Sequence, residues 1–147
     1  MTPNLNRRAV CALLLAAATA PLPLAAQEHS PYEVIEFDWI DAARGRAVPV
    51  RLYWPHAVSA SAKLPLMLFS HGIGGSRRGY SYLGQHWATH GYASLHVQHV
   101  GSDRAIWVGN PFGLIGRLHD AAQEREAIDR ALDVRFALDQ LLASEHG

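Results

Sequence analysis

The sequence predicts an α/β fold in which an antiparallel hairpin leads into a doubly wound, mostly parallel sheet. Three patterns carry this. Two early stretches alternate apolar and polar residues with period two. A strand–turn–helix–strand unit follows them. A long amphipathic helix then occupies residues 120–143.

In the first stretch, Tyr32 to Ile40, Ile35, Phe37 and Trp39 share one face, with Glu36 and Asp38 opposite. In the second, Val48, Val50, Leu52 and Trp54 fall together. Period two is the mark of strands with one buried face. Asp41 to Arg46, with Gly45, supplies the turn. Pro49 has no N–H to give a ladder, so the second strand should be bulged there or should turn that position away from a neighbour. Residues 55–63 read as a polar, Ala- and Ser-rich loop.

Leu64 to Phe69 is a short apolar run, the signature of a strand buried on both faces. Ser81 to His90 reads as a helix, with Leu83 and Trp87 one turn apart and Gly91 just past its end. Tyr92 to Val97 is the next strand, which completes a unit of the size of a right-handed crossover. Residues 98–118 have no clear period and read as a long loop, a length uncommon without a function. From Asp120 to Ala143 a helix is expected, with Asp120 as N-cap and Gln123 completing a capping box. Ile128, Ala131, Leu132, Val134, Phe136, Leu138, Leu141 and Leu142 give it a broad apolar face. Asp129, Arg130 and Asp133 lie opposite, while Arg135 and Asp139, four apart on the apolar side, can pair with each other.

The first 26 residues read as a leader rather than as part of the fold. Arg7 and Arg8 precede the apolar stretch Val10 to Ala20, which is too short for a bilayer that takes about 20 residues. Pro21 and Pro23 follow, and Leu24-Ala25-Ala26 leaves small residues before Gln27. That order is a secretory signal peptide. The arginine pair also leaves the twin-arginine route open. The domain is then expected over 27–147, exported to a periplasm or the cell exterior. The leader contains the chain's one cysteine, Cys11, so no disulfide or thiolate metal site is expected in the remainder. It also takes two of the 13 basic residues, leaving 11 against 13 acidic ones. Such a balance gives no reason to expect nucleic acid or an anionic membrane as partner. No second apolar stretch is of transmembrane length.

The chemistry concentrates at the turn after the first buried strand, His71-Gly72-Ile73-Gly74-Gly75. Glycines allow a sharp turn and leave backbone N–H groups uncovered. Uncovered amides at a strand-to-helix turn can hold a developing negative charge. A dinucleotide-binding turn fails on spacing, because Arg77 stands where the third glycine should be. The placement fits the HGGG-type oxyanion loop after the third strand of an α/β-hydrolase.

The stretch Pro65 to Asp103 resembles secreted bacterial α/β-hydrolases of the predicted dienelactone hydrolase type, similar to the platelet-activating-factor acetylhydrolase group. Phe69-Ser70-His71-Gly72-Ile73-Gly74-Gly75-Ser76, Tyr80-Ser81-Tyr82-Leu83, Trp87-Ala88-Thr89-His90-Gly91-Tyr92-Ala93 and His99-Val100-Gly101-Ser102-Asp103 carry the resemblance. Asp133 to Leu141 resembles the helix that precedes the nucleophile strand. The resemblance implies an α/β-hydrolase fold and a serine hydrolase acting on carboxylic esters through an acyl-enzyme. It implies a small-molecule or lipid ester as substrate and no cofactor. The backbone N–H of Ile73 matches the family's oxyanion donor, within a loop of His71, Gly72, Gly74 and Gly75.

That chemistry needs a serine on a G-x-S-x-G elbow, a histidine base and an orienting acid. The elbow is absent: Gly74-x-Ser76-x-Arg78 and Gly79-x-Ser81-x-Leu83 both lack the second glycine. The chain is therefore expected to be the N-terminal part of a larger enzyme, truncated before the nucleophile strand and inactive alone. A non-catalytic product keeping this half of the fold as a binding or interaction module is the alternative. Among nine histidines, His86, His90, His96 and His99 form the best metal candidate. His86 and His90 share helical spacing, but Trp87 occupies the place of the glutamate in H-E-x-x-H, so no metal is expected. His71 reads as a brace within its turn, with no serine to activate.

Overall fold

A computed structural model describes residues 30–56 and 63–144. The leader assigned to residues 1–26 lies outside them, as does most of the loop at 55–63. Four strands form one sheet: β1 (Tyr32–Asp41), β2 (Arg46–Pro55), β3 (Leu66–Ser70) and β4 (Ala93–Val97). Their spatial order is β1-β2-β4-β3, antiparallel except for the parallel β3–β4 pair. The α-helices among the described residues are α1 (Ser81–Thr89), α2 (Leu114–Ala121) and α3 (Glu124–Ala143).

The hairpin forms as its alternation requires. Tyr32 pairs with Pro55 and Asp41 with Arg46 in one uninterrupted register, so there is no bulge at Pro49. Proline acts instead on the other edge. The Pro49 carbonyl accepts from the Gln98 amide at 2.9 Å, but Pro49 cannot return the second bond of that pair. The β2–β4 ladder accordingly ends at Val50–Val97.

One face of the sheet packs Val48, Val50, Leu52, Leu95 and Val97 against Ala137 and Leu141 of α3. Each fully buried Val or Leu stabilises by about 1.5–3 kcal/mol. The other face receives α1 at Gly84, where a β-carbon would stand 2.4 Å from the Tyr53 ring. Helices thus cover both faces, as a doubly wound sheet demands. Gly91, at φ 82°, reverses the chain after α1 and lets β4 begin.

Four expectations fail. The apolar run at 64–69 is not buried on both faces. Among the described residues β3 pairs only with β4, and Leu68 is exposed. The fully buried strand is β4, because it lies between β2 and β3. Residues 98–118 are not one loop: they contain 3₁₀ turns at Arg104–Trp107 and Pro111–Gly113 and most of α2. Asp120 does not cap the last helix. It belongs to the last turn of α2, and α3 starts after Gln123, whose side chain makes no cap bond. The break needs neither Gly nor Pro. The Ala122 and Gln123 amides tighten the end of α2 by bonding the carbonyls three residues back.

The fourth failure concerns the faces of α3. Its buried residues are Asp133, Ala137 and Leu141, four apart. Ile128, Leu132 and Leu142 are exposed, and so is the Arg135–Asp139 pair, 4.0 Å apart. The sheet-facing stripe therefore includes a carboxylate that its polarity assigned to solvent. Its partners, Arg44 and Arg46, come from the β1–β2 turn and the start of β2.

His96 is fully buried on the α1 side, against the rings of Tyr53, Phe69 and Trp87. Burial pushes its pKa down to about 4. The native state keeps it neutral, while the unfolded chain takes up a proton near pH 6.5. Its stabilising effect is complete above about pH 6.5 and is lost as pH falls toward 4, by up to about 1.4 kcal/mol per pH unit. Glu36, held at about 2 chiefly by its hydrogen bonds to Arg78, adds its own loss only below the ordinary carboxylate range. Urea melts of the complete protein from pH 7 to pH 4.5 should show this slope, and His96→Gln should lessen it. An equal slope in the variant would contradict the assignment.

Candidate functional site

The turn after β3 is built by hydrogen bonds around a buried histidine. His71 is 1% exposed. The His99 backbone N–H can only donate, so His71 Nε2 accepts from it, at 3.2 Å. The ring hydrogen is then on Nδ1, which donates to the Gly72 carbonyl at 2.7 Å. The Gly75 amide donates to the same carbonyl at 3.0 Å. Burial lowers the His71 pKa, which keeps the ring in this neutral, one-donor, one-acceptor form.

That arrangement fixes a peptide plane. The Gly72 carbonyl and the Ile73 N–H belong to one planar trans unit and point in opposite directions. Two donors hold the carbonyl inward, so the Ile73 amide is aimed away from the turn. The Gly74 amide is used by the Ser102 carbonyl at 2.8 Å, and the Gly75 amide as described. The Ile73 amide meets no acceptor among the described residues. Gly74 has φ 79°, and its carbonyl accepts from Trp107 Nε1 at 2.9 Å. A β-carbon at Gly74 would stand 2.5 Å from that indole nitrogen, and one at Gly75 2.9 Å from His71 Cβ. Both glycines are required by close approach, the first also by its backbone angle.

Behind the turn lies a polar cluster that sequence reasoning missed. Ser70 Oγ is 2.9 Å from His99 Nε2, and His99 Nδ1 is 3.1 Å from Asp133 Oδ2. Hydroxyl, imidazole and carboxylate therefore stand in line, as in a hydrolytic triad. The surroundings make the line a tie. Asp133 is fully buried and also accepts from Arg44 Nη2 at 2.8 Å and Arg46 Nε at 3.0 Å. Burial raises its pKa, but the bonds from His99, Arg46 and Arg44 outweigh that and hold it below the usual carboxylate range. Arg130 donates to Ser70 Oγ at 2.9 Å and to Ser102 Oγ at 3.0 Å, and also to the His71 carbonyl. His99, not His71, is the histidine that meets Ser70.

Arg77, at the position that ruled out a dinucleotide turn, anchors the segment after the turn to the hairpin. It donates to Asp38 Oδ1 at 2.7 Å and to the Phe37 and Val50 carbonyls. The four candidate metal histidines do not come together. The His86 and His90 rings pair on the exposed side of α1, 4.2 Å apart, while His96 packs beneath α1 and His99 meets Asp133 of α3. Among the described residues, no group of three or more His, Cys, Asp or Glu is placed to hold a metal ion. No helix among them is long and apolar enough to cross a membrane.

The sheet order, the helices on both faces and the glycine turn between β3 and α1 define an α/β-hydrolase fold, of which this chain supplies part. The chain is similar to a cold-adapted esterase from an Arctic intertidal metagenomic library, with a TM-score of 0.56 and 17% identity over 82% of this chain and 49% of that one. It is also similar to S-formylglutathione hydrolase from Staphylococcus aureus, with a TM-score of 0.50 and 14% identity over 76% of this chain and 43% of that one. Residues 39–109, from the end of β1 through the turn at Gly109, match the family model of platelet-activating factor acetylhydrolase, isoform II. The platelet-activating factor acetylhydrolase of Cavia porcellus is 26% identical over 117 residues. The chain spans 26% of that relative's length and 69% of its own.

Proposed function

We propose that this chain is the oxyanion-loop portion of an exported carboxylic-ester hydrolase. The complete enzyme would act through an acyl-serine, on a small-molecule or lipid ester. The Ile73 amide would be one of two donors to the tetrahedral oxyanion. The nucleophile, acid and base would come from outside these 147 residues, since no G-x-S-x-G occurs within them. One observation carries this reading: in a turn whose Gly74 and Gly75 amides are used internally, the Ile73 N–H is aimed outward and unpaired. An oxyanion hole consists of such preorganised donors. The similarity to esterases and to an acetylhydrolase supports the choice of an ester as substrate.

The test is export and assay of the complete protein in a bacterial host. Mature protein beginning at Gln27 should hydrolyse a short-chain p-nitrophenyl ester, while the 147-residue chain should stay at background. An inactive complete protein would favour a binding module instead. Turnover by the 147-residue chain itself would place the nucleophile inside it and overturn the proposal.

A further inference from the structure

We propose that Arg130 is a positioning residue for the oxyanion loop, acting from α3 on both ends of the turn. This inference rests on the ester-hydrolase reading above. The helical pattern assigned Arg130 to solvent, yet its guanidinium reaches groups 28 to 60 residues away in sequence. One nitrogen donates to Ser70 Oγ and to the His71 carbonyl, where the turn begins. The other donates to Ser102 Oγ at 3.0 Å, and the Ser102 carbonyl accepts the Gly74 amide at 2.8 Å. Ser102 is fully buried and so transmits the restraint. Gly72 and Ile73 lie between these two anchors.

The restraint matters because packing does not supply it. A β-carbon at Gly72 would meet nothing within 4 Å, so the most flexible residue type stands in open space beside the proposed donor. Only hydrogen bonds limit its torsions. His71 and Gly75 hold the Gly72 carbonyl, and Arg130 holds the peptide before it. A planar fork of donors can span three acceptors at fixed angles, which a lysine ammonium cannot.

The experiment uses the complete protein and compares wild type, Arg130→Lys and Arg130→Met. Four quantities are read: kcat and KM for a p-nitrophenyl ester, the inhibition constant of a trifluoromethyl ketone, and the melting temperature. The ketone adds the active serine and leaves its oxygen in the oxyanion hole, so it reports donor alignment directly. Arg130→Met should lower kcat by ~10–100-fold, the scale of a misplaced reacting group, with KM within about twofold because substrate contacts persist. The ketone constant should rise by a factor similar to the kcat loss, and added guanidinium should restore part of kcat. Arg130→Lys should lie between the two and decides the matter if Arg130→Met does not fold. Folded variants with wild-type kcat and ketone affinity would overturn the inference. So would a kcat loss that leaves ketone affinity unchanged. No turnover by the wild type would instead sink the ester reading, and this inference with it.

Discussion

Replacing Ile73 by proline in the complete enzyme is expected to lower kcat by ~10²–10³, the usual cost of removing one oxyanion donor. Proline deletes the N–H and leaves the carbonyl side of the same peptide in place. Ile73→Ala keeps the amide and should be mild. The side chain is 47% exposed, so its loss opens no sealed cavity. The contrast between the two variants separates the role of the backbone from that of the side chain. Circular dichroism must show a native fold in both, since proline also fixes φ. A folded Ile73→Pro enzyme at wild-type kcat would rule the assignment out.

Asp133→Ala is expected to be the most destabilising single change among the described polar residues. The carboxylate is fully buried and joins Arg44, Arg46 and His99. Its removal leaves two guanidinium groups, themselves 19% and 17% exposed, with reduced compensation. Arg44 keeps Asp41 and Arg46 keeps Glu126, which limits the loss. Removing one partner of a buried ion pair costs about 3–5 kcal/mol, and the lower end fits here. That is a large part of the 5–15 kcal/mol that typically holds a domain together. The exposed Arg135–Asp139 pair is the control: Arg135→Ala should change stability by less than about 1 kcal/mol. Urea melts of both variants check this. An Asp133→Ala loss no larger than the control's would contradict the network.

The sequence made strands and turns legible where their cause is local. The alternation of Ile35, Phe37 and Trp39 and of Val48, Val50 and Leu52 identifies the hairpin. Gly45 and Gly91 mark turns because most side chains disfavour their positive backbone angles. The strand–turn–helix placement of His71-Gly72-Ile73-Gly74-Gly75 locates the candidate site. What stayed hidden is set by tertiary neighbours. The burial of β4 rather than β3 follows from strand order, which a single sequence does not encode locally. Asp133 reads as a solvent residue because helical periodicity counts polarity, and its two arginine partners lie more than 80 residues away. The cluster of Ser70, His99, Arg130 and Asp133 draws on β3, the segment after β4 and α3, with no spacing to betray it. The break between α2 and α3 carries no Gly or Pro and closes through backbone bonds alone.

The same cluster makes the decisive measurement a simple one. Ser70 is the one serine of the described residues in line with an imidazole and a carboxylate. It is therefore the residue that would react if the nucleophile lay within this chain. A fluorophosphonate labels the active serine of a hydrolase covalently, and peptide mass spectrometry locates the label. Applied to the complete protein, it should modify a single serine outside residues 1–147, and Ser70→Ala should leave the extent of labelling unchanged. A label on Ser70, abolished by Ser70→Ala, would contradict the account: the tie behind the glycine turn would then be the catalytic centre.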